Sequence, residues 1–170
     1  LDANSAYWQV PLKDDASMDR TSFVTNKGFY RFRVMNFGNC NAPATYQRLM
    51  DLVLAGLRLE ICLSFLDDII IYSTFESACD RLQAVLDRMR QANLKLKPKK
   101  CKLFQASVRF LGSIVSRFGI SADPEKIKVV TQWPRPLNLT EVRGFCALTS
   151  YYRRHIMNYA EIARPLYDLT

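Results

Sequence analysis

Ile61-Cys62-Leu63-Ser64-Phe65-Leu66-Asp67-Asp68-Ile69-Ile70-Ile71-Tyr72 sets two adjacent carboxylates between two short apolar runs. The runs 61–66 and 69–72 are rich in Ile and Leu and too short for a helix pair, so the stretch predicts a β-hairpin with an acidic tip. Asp67 and Asp68, amid Phe65, Leu66 and three isoleucines, carry a desolvation cost unless something positive neutralises them. A divalent cation with hard oxygen ligands, Mg²⁺ or Mn²⁺, is one solution. A solvated acidic turn is the other, and the pair alone does not choose between them.

The flanks give the hairpin its setting. Upstream, Asn41 can cap a helix with Pro43 in its first turn, and Tyr46, Leu49, Met50, Val53, Leu54 and Leu57 fall on one face of it. Residues 21–34 alternate aromatic and polar side chains around Asn26-Lys27-Gly28, the pattern of a second hairpin. Downstream, Ser73 and Glu76 form a capping box for a helix that buries Leu82, Val85, Leu86, Met89 and Leu94. A basic stretch at 95–102 follows, punctuated by Pro98. Residues 108–115 then predict a strand, with Gly119 in the turn after it. Asp123-Pro124 starts a helix, Trp133-Pro134-Arg135-Pro136 breaks it, and another begins near Thr140. The chain is thus mixed α and β to about residue 118 and helical beyond, with a boundary expected at 117–121.

Composition narrows the chemistry. Lys plus Arg outnumber Asp plus Glu by 24 to 16, a net charge of +8 over 170 residues. Such a protein favours polyanions, nucleic acid first among them, although a plain basic surface gives the same count. The apolar run around 63–72 is interrupted by two aspartates and is too short to span a membrane. Five scattered cysteines without a C-x-x-C pair fit reduced thiols. With His155 the only histidine, a Cys/His zinc site and a Ser-His-Asp triad are both poorly supported, so carboxylates must carry any metal chemistry. Asp2, at a strand end, is the natural third: two-metal phosphoryl transfer needs carboxylates from separate elements.

At this point the motifs carry a resemblance. Phe65-Leu66-Asp67-Asp68 and the residues after it resemble the aromatic-x-Asp-Asp motif of reverse transcriptases, in the form found in gypsy-type LTR retrotransposons. Residues 1–10 resemble the first aspartate motif, and 37–47 the nucleotide-pocket loop with its following helix. Phe110-Leu111-Gly112 resembles the primer-grip hairpin, and 151–166 the thumb. The resemblance implies an α+β fold: a polymerase right-hand palm, an antiparallel sheet backed by helices, over residues 1–118. It includes partial fingers at about 11–41 and a small helical thumb at 119–170.

It also implies RNA-directed DNA polymerisation from deoxynucleoside triphosphates on a primed RNA or DNA template. Asp2, Asp67 and Asp68 are then the catalytic residues, holding two Mg²⁺ ions (Mn²⁺ substituting) with the Ala3 carbonyl as a further ligand. Tyr7, Phe37, Gly38 and Lys100 fall in the nucleotide pocket, Tyr7 as the gate against a ribose 2′-hydroxyl. Phe110, Leu111, Gly112, Lys99, Arg143, Arg153 and Arg154 contact nucleic acid. RNase H, integrase and protease regions flank such a domain in its polyprotein. The setting is cytoplasmic, in virus-like particles, without membrane.

Two positions depart from the motif: Asn36 stands where proline is usual and Ser113 where histidine is usual. Neither supplies a catalytic atom. They leave a rival reading, a catalytically inactive nucleic-acid-binding remnant. A metal nuclease is a further rival, disfavoured because Tyr7 and the Phe37-Gly38 loop suit a nucleotide pocket. Upstream fingers strands are missing from these residues, so 170 residues alone are expected to turn over poorly.

Overall fold

A computed structural model describes residues 1–170. The chain divides into two compact units, Leu1–Phe104 and Gln105–Thr170.

In the first unit a 3-10 turn, Ala6–Gln9, is followed by a short helix α1 (Asp15–Asp19) and the hairpin β1 (Phe23–Thr25) and β2 (Gly28–Tyr30). Then come α2 (Ala42–Val53), β3 (Cys62–Phe65), β4 (Asp68–Ile71) and α3 (Ala78–Gln91). The acidic hairpin forms as expected: β3 and β4 are antiparallel, Cys62 facing Ile71 and Phe65 facing Asp68, with Leu66-Asp67 as a two-residue turn. Two further segments extend this pair. Residues 1–3 run beside β4 through an Asp2–Asp68 bridge, and residues 95–97 run beside them through an Ala3–Leu96 bridge.

The helices back this sheet because their apolar stripes match it. Tyr46 and Met50 from α2, Leu54 just past its end, and Val85 and Met89 from α3 are almost wholly buried, in one core with Ala3, Cys62 and Ile69. Burial of side chains this size stabilises by roughly 1.5–3 kcal/mol each. Alternation along β4 puts Ile69 into that core and Asp68 out of it.

The start of α3 corrects the sequence reading. Ser73 and Glu76 make no capping box, and the helix begins at Ala78 after Ser77. Tyr72 is held to the sheet instead: its N–H donates to Ile61 O (3.1 Å) and its carbonyl accepts from Arg81 Nη1 (2.7 Å). A turn at 75–77 follows, with Thr74 Oγ1 hydrogen-bonded to Ser77 Oγ at 3.0 Å, before the helix starts.

The second unit is built from β5 (Ser107–Phe110), β6 (Ser113–Ser116), β7 (Gly119–Ala122), α4 (Pro124–Thr131), α5 (Leu139–Tyr151) and α6 (Tyr159–Tyr167). The expected single strand at 108–115 is a hairpin. Leu111 (φ +49°) and Gly112 (φ +77°) turn the chain, and the three strands form one antiparallel sheet. Gly119 begins β7 rather than lying in a turn, so a boundary at 118 would cut between paired strands; the units part between Phe104 and Gln105. Asp123 caps α4 as expected, its Oδ1 accepting from Glu125 N–H at 3.0 Å. The whole is α+β, as the motifs imply. No helix is long and apolar enough to cross a membrane.

Candidate active site

Strand pairing places the three aspartates. Ala3 N–H donates to Asp67 O (2.9 Å) and Ile69 N–H to Leu1 O (3.0 Å), hydrogen bonds that flank Asp2 and Asp68. Asp2 and Asp68 are therefore a non-hydrogen-bonded antiparallel pair, the arrangement that brings opposed side chains closest. Like charges set directly opposite destabilise a sheet. The strain registers on Asp68, whose carboxyl is held above its usual range by partial burial and then by the Asp67 and Asp2 charges.

One cation meets this rim directly. Lys100 Nζ lies 3.2 Å from Asp2 Oδ2, and the Asp2 side chain is only 17% exposed. Lys100 ends a 3-10 turn, Pro98–Lys100, which follows the segment bonded to the Asp2 strand. That bonding runs from Lys97 N–H to Asp2 O and from Asn4 N–H to Lys95 O, both 2.9 Å.

A cleft of about 350 Å³ opens beside the pair, lined by Asp2, Ala3, Asn4, Ser5, Ala6, Tyr7, Phe37, Asp67, Lys97 and Lys100. Six of the residues named from sequence thus share one cavity wall. Tyr7 is wedged between aromatic rings, 5.3 Å from Phe37 and 5.9 Å edge-on to Tyr46, while Trp8 reaches the far side of Phe37 at 5.8 Å. Tyr46 is wholly buried with no hydrogen-bond partner for its hydroxyl, and burial, aided by the Asp67 charge, pushes its phenol up to about 12. Gly38 sits at φ +92° with open space around its Cα, and the loop before it is braced by Asn36 itself. Asn36 Nδ2 donates to Phe37 O (3.0 Å) and its Oδ1 accepts from Asn39 Nδ2 (2.9 Å), so the residue replacing proline supplies its own rigidity.

Gly38 and Lys99 do not line the cleft, whereas Lys97 does. Charge clustering pointed at the lysines but could not say which face each takes. Asp68 stands beside the cleft as the partner of Asp2 rather than in its wall. No three His, Cys, Asp or Glu side chains close into a preformed metal cage. The carboxylates form an open rim whose donors, hard oxygens with too little positive charge beside them, suit Mg²⁺ or Mn²⁺.

Phe110, Leu111, Gly112, Arg143, Arg153 and Arg154 belong to the second unit. There Lys126 Nζ and the Tyr151 hydroxyl crowd Gly112, where a Cβ would meet them at 3.0 and 3.7 Å. Arg143 Nη2 donates to Thr170 O (2.9 Å), and Arg153 and Arg154 are exposed in a 3-10 turn after α5.

A family model described as reverse transcriptase (RNA-dependent DNA polymerase) matches residues 1–115. The retrovirus-related Pol polyprotein from transposon 297 of Drosophila melanogaster is 41% identical over 167 residues, covering 98% of this chain and 16% of that protein. The corresponding polyprotein from transposon gypsy, of the same organism, is 40% identical over 170 residues, 99% of this chain and again 16% of the relative. In three dimensions a foamy viral protease-reverse transcriptase solved with double-stranded DNA aligns at a TM-score of 0.88 and 23% identity, covering 98% of this chain and 29% of that one. That likeness is one of fold.

Proposed function

The chain belongs to the reverse transcriptase family, and from that premise we propose that it is the polymerising core of a retrotransposon Pol polyprotein, extending a primer on an RNA or DNA template with deoxynucleoside triphosphates. The observation that carries this is the Asp2–Asp68 pair set at the mouth of a cleft whose wall includes Asp67, Tyr7, Phe37 and Lys100. Residues 1–104 are then the palm, with partial fingers at about 11–41, and the unit that follows holds the primer-grip hairpin and thumb.

Each residue has a task in this reading. Asp2, Asp67 and Asp68, with the Ala3 carbonyl, would hold two Mg²⁺ ions, or Mn²⁺. When bound, the ions favour ionisation of the primer 3′-hydroxyl and offset charge on the triphosphate and departing pyrophosphate. Tyr7, immobilised between Phe37 and Tyr46, excludes a 2′-hydroxyl. Gly38 permits close backbone approach beside the nucleotide. Lys100 carries an ammonium proton into the cleft, where triphosphate oxygens would draw it from Asp2. Lys99, Arg143, Arg153 and Arg154 are exposed cations fit for template-primer phosphates. In this reading the protein works in a cytoplasmic setting, in virus-like particles.

Primer extension with Mg²⁺ by a longer chain that carries the upstream fingers strands tests the proposal. Deoxynucleotide incorporation is expected, lost in Asp67→Asn and Asp68→Asn while template-primer binding persists. Near-normal extension by both variants would refute the site. Salt-sensitive binding without any extension by that longer chain would mark a non-catalytic remnant.

A further inference from the structure

The turn that presents Asp67 and Asp68 is backbone-strained, and its support comes from outside the hairpin. Leu66, first of the two turn residues, has φ +52°. This left-handed conformation favours glycine at the first position of a tight hairpin loop and strains a branched side chain. A strained turn persists only where its surroundings over-determine it.

From outside the hairpin, Ala3 N–H holds the carbonyl of Asp67, and a single side chain holds the strained Leu66. Gln47, on α2, accepts from Leu66 N–H through Oε1 at 2.8 Å, across a separation of 19 residues. Its Nε2 donates to Asp51 Oδ1 at 2.8 Å and reaches Ser64 O at a marginal 3.5 Å. The amide can face only one way: a carboxylate accepts and a backbone N–H donates, so Nε2 must turn to Asp51 and Oε1 to Leu66. Asp51 is itself held by Arg58 Nη1 at 2.9 Å. Tyr46, beside Gln47 in sequence, anchors this part of α2 in the core at zero exposure.

We propose that Gln47 is a positioning residue for the carboxylate pair: it locks the strained Leu66-Asp67 turn onto α2, and so fixes where Asp67 and Asp68 stand when they take up a divalent cation. The inference rests on the polymerase reading for its catalytic consequence, but not for its effect on cation binding. Sequence position alone would make Gln47 a helix-stabilising residue; its oxygen instead spans to the hairpin.

The test compares the unaltered chain with Gln47→Met, which keeps the length of the side chain and removes both polar contacts. Mn²⁺ affinity by EPR titration, extension kinetics and thermal melting are measured together. Gln47→Met is expected to weaken Mn²⁺ binding and lower kcat on the order of 10–100-fold, since reacting groups tolerate little displacement. The KM for template-primer stays put. Adding Leu66→Gly to Gln47→Met should recover most of both losses, because glycine holds the left-handed turn without a clamp. Asp51→Ala, which frees the amide to rotate, should shift Mn²⁺ affinity the same way by less, and it carries the test if Gln47→Met does not fold. Unchanged Mn²⁺ affinity in these variants, or a loss that Leu66→Gly leaves in place, would overturn the proposal. If the unaltered protein with its upstream fingers strands binds Mn²⁺ but does not extend a primer, the polymerase reading falls and the Mn²⁺ comparison still decides the clamp.

Discussion

Asp68→Asn should make the protein more stable when metal is withheld and less stable when metal is supplied. Asp68 faces Asp2 in a non-hydrogen-bonded pair, and its carboxyl is held above the usual range by burial and by two like charges. Opposed like charges in a sheet cost roughly 0.2–1 kcal/mol; Asp68 is largely open to solvent, so screening favours about 0.5 kcal/mol. In a chain of this size that raises Tm by about 1–2 °C. The sign with pH follows from the raised folded-state value. Stability associated with Asp68 is fullest below its unfolded pKa of 3.8 and is lost as pH rises through the higher folded one. The advantage of Asp68→Asn is thus absent below pH 3.8 and grows toward neutrality. Mg²⁺ reverses the order. At ten times its dissociation constant it stabilises the unaltered protein by about 1.4 kcal/mol, against about 0.4 kcal/mol for a variant whose affinity is tenfold weaker. Scanning calorimetry at pH 7, with EDTA and then with rising Mg²⁺, should show the two melting curves cross. An Asp68→Asn variant that melts lower in EDTA, or that gains as much from Mg²⁺ as the unaltered chain, would refute the reasoning.

Replacing Tyr7 with Ala or Val should raise ribonucleotide incorporation relative to deoxynucleotide incorporation, measured by competitive single-nucleotide extension; an unchanged ratio would leave Tyr7 as packing against Phe37 and Tyr46. Neutralising two of Lys95, Lys97, Lys99, Lys100 and Lys102 should flatten the log–log salt dependence of template-primer affinity by roughly one to two units if both touch phosphates, checked by fluorescence anisotropy. Tyr46→Phe deletes a buried hydroxyl with no partner and should stabilise by about 1 kcal/mol. With the Tyr46 phenol pushed up to about 12, stability intact below pH 10 is lost as pH rises through that value, and the phenylalanine variant should show a smaller alkaline loss of Tm.

The residues legible in the sequence were those whose local pattern and chemistry agree. Asp67-Asp68 between short apolar runs gave the hairpin and its tip, and Asp123-Pro124 gave the start of α4. What escaped depended on partners far along the chain. Ser73 and Glu76 have the spacing of a capping box, yet residues 75–77 form a turn and the helix starts only at Ala78. Leu111 looks like a strand residue, and only its left-handed turn with Gly112 reveals two strands in place of one. Motif spacing brought Asp2, Tyr7, Phe37 and Lys100 to one cleft, but not the choice of Lys97 over Lys99, which a 3-10 turn decides.

The segment bearing Asp2 lies between residues 67–69 on one side and 95–97 on the other, though it opens this stretch of chain. On a ribosome both of its neighbours are therefore synthesised after it. Until Lys97 has emerged, Asp2 has only one flank to bond, and the loops that must close are long, which slows assembly and exposes apolar strand edges meanwhile. A nascent or truncated chain that ends before the lysine-rich stretch can pair Asp2 with Asp68 but lacks the bonds from residues 95–97 that hold the other edge of that segment. A stalled or cleaved product would then carry all three aspartates with Asp2 held along one edge only, and the cation binding proposed above should be weaker in it than in the completed first unit.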